Sequence, residues 1–295
     1  MSLRFRVRHE TTYSYMTPVV LAQNEARMQL RDCRWQETVW ESVSLDPDAG
    51  DRAERLDFFG NRALYFSVQK AHSEFSITVE SEILLHPSRR SDVSRAIMGR
   101  AELSTWLAGG HANARQANRW IWESPRLPHL SVITQWARQV CDQHTDLLET
   151  CSALMNAIHS DFRYDTQSTA ADTPVYESFR KRAGVCQDFA HVMICGLRGL
   201  GIPCRYVSGY LETRPPPGQV KLLGADASHA WVSVFFPHIG WIDFDPTNNC
   251  LPSDRHLTLA WGRDVSDVVP VKGVMLGGEQ HRIGVKVDVN LIPAQ

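Results

Sequence analysis

Past the middle of the chain a cysteine, a histidine and two aspartates follow one another, at Cys186, His229, Asp243 and Asp245. These are the residue types of a thiol acyl-transfer site. The thiolate attacks a carbonyl, the imidazole passes a proton to the leaving group, and a carboxylate behind the ring fixes its tautomer and stabilises its charged form. Cys186 stands in Arg182-Ala183-Gly184-Val185-Cys186-Gln187-Asp188-Phe189-Ala190-His191, where a glycine-relaxed loop becomes a helix. The first turn of a helix offers unpaired backbone N–H groups and the positive end of the dipole, which favour thiolate over thiol and can hold an oxyanion.

The chemistry requires elements that hold these side chains. From Phe189 the apolar residues fall at Phe189, Ala190, Met193, Ile194, Leu197 and Leu200, the spacing of a helix with a single buried face. Gly201 stops it and Pro203 keeps it from resuming. His229 opens a strand running to Phe236, and a second strand covers Trp241 to Phe244. The short turn from Pro237 to Gly240 makes them antiparallel neighbours, so a carboxylate near the end of one faces an imidazole near the start of the other. Asp243 and Asp245 share a strand face, and spacing alone does not choose between them. A further strand is expected over Arg205 to Leu211, followed by a stiff, exposed loop at Arg214-Pro215-Pro216-Pro217-Gly218.

The rest of the chain divides by period. Leu3, Phe5 and Val7 alternate with Arg4, Arg6 and Arg8, and the same alternation returns at Ala26 to Leu30, Val39 to Leu45 and Phe75 to Val79. Phe58-Phe59-Gly60-Asn61-Arg62 marks a tight hairpin. Residues 1–86 therefore read as a β-sandwich domain, with His86 to Ser91 as its exit linker. A second domain spans 97–295: a helical lead-in over 97–160, a core over 161–250 and a β-hairpin tail over 251–295. The lead-in has helical stripes at Val132 to Val140 and Leu147 to Ile158, while 97–125 is ambiguous and its Trp106, Trp120 and Trp122 are placed over the domain junction. The closing hairpin rests on the alternation of Ile283, Val285, Val287, Val289 and Leu291 after Gly277-Gly278.

Composition limits the partners. With 295 residues, 43% hydrophobic and 22% charged, the chain has room for one large or two modest domains. A net charge of -2 without long runs of one sign gives no footprint for nucleic acid, and neither a signal-peptide core nor a membrane-spanning run occurs, so a cytoplasmic protein without membrane contact is expected. Seven scattered cysteines, an odd number, fit reduced thiols better than a disulfide framework. The chain has no Cys-x-x-Cys, His-Glu-x-x-His, Walker or calcium-loop motif, so no metal or cofactor is expected. The oligomeric state is not encoded in any of these features.

Gly184-Val185-Cys186-Gln187-Asp188-Phe189-Ala190, then Ser228-His229-Ala230-Trp231, then Gly240-Trp241 leading to Asp245-Pro246-Thr247, resemble the three signature blocks of the transglutaminase-like cysteine enzyme superfamily. Residues 1–86, with Phe59-Gly60-Asn61, resemble the β-sandwich that precedes the core in its bacterial members, and Gly262-Arg263-Asp264 resembles their usual tail. The resemblance implies an α+β, papain-like core, a cysteine-bearing helix packed on an antiparallel sheet or barrel, behind an all-β sandwich. It also implies Cys186 as nucleophile, His229 as general acid and base, and, through the Asp-Pro-Thr match, Asp245 as the orienting carboxylate.

Other candidates receive simpler readings. Tyr210, Trp231 and Trp241 are placed as lining for an acyl-donor groove, against the alternative that strand aromatics are core. Asp188 complements the helix N-terminus, His191 packs on another face of the helix, His159 and His256 go to the surface, and Cys195, Cys204 and Cys250 are structural. The expected reaction is hydrolysis of a peptide or side-chain amide bond in a protein or peptide substrate, because no second, amine-side site is apparent. Two alternatives stand beside it. One is glutamine cross-linking, if an amine resolves the thioester; the other is arylamine acetylation, whose family's Arg-Gly-Gly-x-Cys block is close to Arg182-Ala183-Gly184-Val185-Cys186. A binding module that merely keeps the fold is disfavoured by the intact triad.

Overall fold

The computed structural model describes residues 2–86, 96–213, 226 and 228–293. The exit linker beyond His86 and the proline loop at 214–218 fall outside these residues. Strands come first: β1 (Leu3–Ala26), β2 (Gln36–Asp46), β3 (Asp51–Leu56), β4 (Arg62–Val68) and β5 (His72–Leu85). Helices follow, interrupted by two short strands: α1 (Arg100–Ala108), α2 (Ala112–Asn118), α3 (Ser131–Cys141), α4 (Leu147–Asp161), β6 (Arg163–Tyr164), α5 (Val175–Lys181), β7 (Ala183–Gly184) and α6 (Cys186–Gly199). The chain then returns to strands β8 (Cys204–Leu211), β9 (Ser228–Phe236), β10 (Gly240–Phe244), β11 (His256–Gly262), β12 (Val271–Gly277) and β13 (His281–Ile292). The ambiguous stretch resolves into α1 and α2, and the regular strand that starts at Leu3 ends at Ala26, short of Met28 and Leu30.

β1 organises the N-terminal unit because it is long enough to bend and serve two layers. Its first half pairs with β5, its second with β4, giving the order β2-β5-β1-β4-β3. Folding that one sheet over on itself packs Leu45, Phe75, Ile77 and Val79 against Ala22, Ala26, Leu64, Phe66 and Val68. The expected sandwich is thus built from a single continuous sheet.

Two expectations about domain organisation need correction. The last strands are not a hairpin: β12 pairs with Val19 to Ala26 and β13 with Arg4 to Tyr15, and neither pairs with the other. They run as one broken strand antiparallel to all of β1. Gly277 and Gly278, at φ +95° and +74°, make the break opposite the bend in β1. A side chain on Gly277 would approach the Pro18 carbonyl oxygen to 2.4 Å. The tail therefore completes the N-terminal sheet, while its Val287 and Val289 also meet Asp226 and the core around α6. Nor are the two units separate in packing: one face of β5 sends Phe75 to Val79 into the sandwich and Ile83 and Leu85 into the core around α6, joined there by Phe5 and Val7. Each such buried side chain contributes roughly 1.5 to 3 kcal/mol.

The second unit wraps α6 with α3, α4 and α5 on one side and the sheet β10-β9-β8-β11 on the other. Every residue of α6 from Asp188 to Arg198 is buried, so it is a central helix and not one with a single buried face. It ends as expected, with Gly201 at φ +75°. Trp120 does bridge the units, between Phe59 and Trp241, and Trp106 packs on Phe235, whereas Trp122 is exposed.

Candidate active site

Cys186 is the first residue of α6 and is partly exposed. Its approach is fixed by short parallel pairing, Arg163 with Ala183 and Tyr164 with Gly184. Asp188, three residues into the turn, accepts the Val185 N–H at 2.9 Å and the Thr169 hydroxyl at 2.7 Å. That contact explains Gly184, since a Cβ there would lie 2.5 Å from Asp188 Oδ2. The carboxylate thus satisfies a helix-entry amide, as expected for that position.

His229 lies at the start of β9, opposite Gly209 of β8, and is 9% exposed. Asp245 directly follows β10, fully buried, bridged to Cys250 by backbone hydrogen bonds. Pro246 then turns the chain, and the amides of Thr247 and Asn248 donate to Asp245 Oδ1 at 3.0 and 3.2 Å. The other oxygen, Oδ2, accepts His229 Nε2–H at 2.7 Å. With Nε2 committed, Nδ1 is the ring atom left to face the thiol, and Cys186 is near enough to act on the charge of the ring.

The electrostatics follow from these contacts. Burial pushes the His229 imidazole down, but hydrogen bonds to Asp245 and Cys186 and their charges outweigh it and lift it to about 10. Burial likewise disfavours the Asp245 carboxylate, yet hydrogen bonds from His229 and His256 hold it well below the usual carboxylate range. The rival, Asp243, accepts the Trp231 indole N–H at 3.0 Å and faces the guanidinium of Arg205.

The three aromatics placed as groove lining do not line one. Trp231 and Tyr210 are fully buried. Trp231 covers Gly209, and the Tyr210 hydroxyl meets Nδ1 of His9 at 2.6 Å. Trp241, at the far end of β10 from Asp245, packs against Trp120, Phe235 and Arg205. Both faces of this sheet are covered, so alternation did not select an open one. The exposed aromatic beside the thiol is instead Tyr164, 54% exposed, its hydroxyl raised by burial and by the Cys186 charge. Its only sequence signal is the short Phe162-Arg163-Tyr164 alternation.

The histidines divide otherwise than expected in one case. His191 is buried and accepts the Val265 N–H at 3.3 Å, and His159 is exposed. His256, placed at the surface from sequence, is buried on β11 and donates Nε2–H to Asp245 Oδ2 at 3.0 Å. The period-two run His256-Leu257-Thr258-Leu259 was the available signal. His229, Asp245 and His256 present ligand-type atoms within 4.8 Å of one another, a set that could hold a metal ion, but here these atoms are hydrogen-bonded to each other. A cavity of about 720 Å³ lies elsewhere, on the N-terminal sheet beside Gln23, Glu25, Tyr65 and Lys272.

Residues 134–246 match the transglutaminase-like superfamily and residues 5–84 the bacterial transglutaminase-like N-terminal region. An uncharacterised protein of Mycobacterium tuberculosis is 31% identical over 98% of this chain and 93% of its own length. A protein-glutamine gamma-glutamyltransferase of Pseudomonas aeruginosa is 30% identical over 57% of this chain but only 25% of its own. Among solved structures, a candidate cysteine protease from Cytophaga hutchinsonii shares the fold over 100% of this chain and 92% of its own, with a TM-score of 0.77 at 19% identity.

Proposed function

The chain belongs to the transglutaminase-like superfamily, and from that premise we propose that it is a thiol enzyme whose Cys186, His229 and Asp245 form an acyl-enzyme and hydrolyse a peptide or side-chain amide bond. The observation that carries this reading is the His229–Asp245 pair, Nε2 at 2.7 Å from Oδ2, on a ring whose charge also feels Cys186 at the start of α6. In the first half-reaction the Cys186 thiolate attacks the carbonyl carbon and the oxyanion lies against N–H groups of the first turn of α6. The carbon–nitrogen bond breaks as the His229 imidazolium gives its proton to the departing amine. In the second, water attacks the thioester, His229 takes its proton, and the thiolate leaves with a carboxylic acid as product.

Cys186 is partly exposed beside the open ring of Tyr164, which supports water as the second nucleophile. The Pseudomonas relative supports an amine in that role, hence cross-linking, over the part of the chain it matches. Arylamine acetylation is disfavoured by the all-β N-terminal unit. Seven free cysteines support a reducing, cytoplasmic setting.

The test uses a glutamine-containing peptide with and without a primary amine, following ammonia release and peptide mass. Ammonia or new peptide termini at a rate indifferent to the amine, abolished in Cys186→Ala, is the expected result. Amine incorporation as the main product would move the assignment to cross-linking, and turnover that survives Cys186→Ala would end the acyl-enzyme reading.

A further inference from the structure

Asp245 carries one negative charge and meets two imidazoles. Its Oδ2 lies 2.7 Å from Nε2 of His229 and 3.0 Å from Nε2 of His256, and it also accepts from Asn248 Nδ2 at 2.7 Å. An ionised carboxylate has no proton to give, so both rings carry hydrogen on Nε2. We propose that His256 is a positioning residue of this site: by donating Nε2–H to Asp245 it holds the carboxylate in register with His229 and takes up part of its charge.

The placement requires such a clamp. Asp245 lies past the end of β10, where Pro246 has broken the ladder, and among the described residues its one strand-type contact is the bridge to Cys250. The Thr247 and Asn248 amides hold Oδ1, and the oxygen that faces His229, Oδ2, is held only by side-chain donors, Asn248 and His256. In the sheet order β10-β9-β8-β11 the two outer strands do not pair, so the Asp245–His256 contact joins them through side chains. The ring of His256 is held in turn: it is 5% exposed and Trp231 of β9 stands edge-on to it, centroids 5.3 Å apart. Among the described residues, the titratable or charged groups around it are Asp245 and His229, Cys250 on the turn after Asp245, and Arg255 with its partner Glu212 behind.

The inference rests on the acyl-transfer reading, and it has a consequence that does not need turnover. An N–H that draws on the Asp245 charge leaves less of it for His229. Removing that donor therefore leaves Oδ2 held by Asn248 alone beside His229, which loosens its register with the ring, and lets the carboxylate bind the His229 proton more tightly.

The experiment compares His256→Phe, which fills the volume without a donor, with His256→Gln, whose amide N–H can replace one. Two quantities are read: single-turnover acylation by p-nitrophenyl acetate, and the His229 titration by NMR of histidine-labelled protein. His256→Phe should slow acylation roughly tenfold and raise the His229 midpoint by about half to one pH unit, and His256→Gln should restore most of both. Asn248→Ala, at an exposed position, should produce the same pair of changes more weakly if His256→Phe proves unstable. A His229 midpoint that does not move, or a Gln variant no better than Phe, overturns the proposal and leaves His256 as packing. If acylation survives Cys186→Ala, the acyl-transfer reading fails instead, whatever the titration shows.

Discussion

Replacing Asp245 by asparagine changes the charge and hardly the shape, and two consequences follow from its partners. The first is electrostatic. His229 stands at about 10 against an ordinary 6.5, after burial has been overcome, which corresponds to about 5 kcal/mol of added proton affinity. Asp245 supplies the largest part of it, so in the variant the ring is left with burial and Cys186 alone, and its titration should fall by several units. The second is geometric. Oδ1 accepts two backbone N–H groups and Oδ2 accepts His229, His256 and Asn248. An amide has one oxygen, so in either orientation its NH2 confronts donors. If it faces His229, the ring must flip to the tautomer that puts its proton toward the thiol. Acylation should then fall by a factor on the order of 10⁴, and stability by about 1 to 3 kcal/mol for the donors left unpaired. Asp243→Asn should cost less than about tenfold, because the asparagine oxygen still accepts the Trp231 indole N–H. Single-turnover acylation by an activated ester, with circular dichroism to check the fold, separates them. A greater loss at Asp243 than at Asp245 would refute the reasoning.

Two further predictions use groups outside that pair. Iodoacetamide should label Cys186 before the thiols that burial pushes up, Cys141, Cys204 and Cys250 to about 11 and Cys195 to about 12; equal labelling of any of these in the folded protein, or a Cys186 rate unchanged in His229→Ala, would count against a thiol–imidazole pair. Stability should fall on acidification from pH 6.5 to 4, because burial lowers His9 and His191 to about 4 and the unfolded chain binds their protons first, at a cost on the order of 3 kcal/mol each. His229 is protonated throughout that window, and its contribution is lost only as pH rises toward about 10. Urea unfolding at pH 7 and 4.5 checks this: the two free energies should differ, His9→Gln should narrow the gap, and equal values would be the contrary result.

The parts of the site that sequence disclosed are those with local causes. The start of α6 is written in the glycine before the cysteine, the apolar spacing after it and the glycine that ends it, and each feature acts within a turn or two. The strands bearing His229 and Asp245 are joined by a short turn, so their pairing needed no long-range information. What stayed illegible depends on which surfaces meet. Alternation placed Tyr210 and Trp231 on strand faces but could not say that both faces are covered, one by α6 and the other by side chains of the N-terminal unit. His256 looked like a surface residue because its partner comes from a strand with which β11 never pairs. The closing strands alternate correctly, but only register shows that each follows a different half of β1.

The contact between the units bears directly on this site. β11 is the last strand of its sheet, paired on one side by β8, so its other edge would leave N–H and C=O groups open. Two buried amides from the N-terminal unit occupy that edge. Gln36 accepts the Thr258 N–H and donates to the Thr258 carbonyl, both at 2.8 Å. Asn61 does the same for Trp261, at 2.9 and 2.8 Å. Each side-chain amide acts as one peptide group of a missing strand, and Arg31 secures the arrangement by lying over the Trp261 ring, 3.2 Å from its centroid, while donating to Asn61. Loss of either amide would strand a buried donor and acceptor, at about 1 to 3 kcal/mol per group. The Phe59-Gly60-Asn61 turn is thus tied to the second unit by what it satisfies on β11, and β11 is the strand that carries His256 to Asp245. A sheet that shares its core with α6 and completes the edge of β11 is part of the frame that sets the distance between an imidazole and its carboxylate.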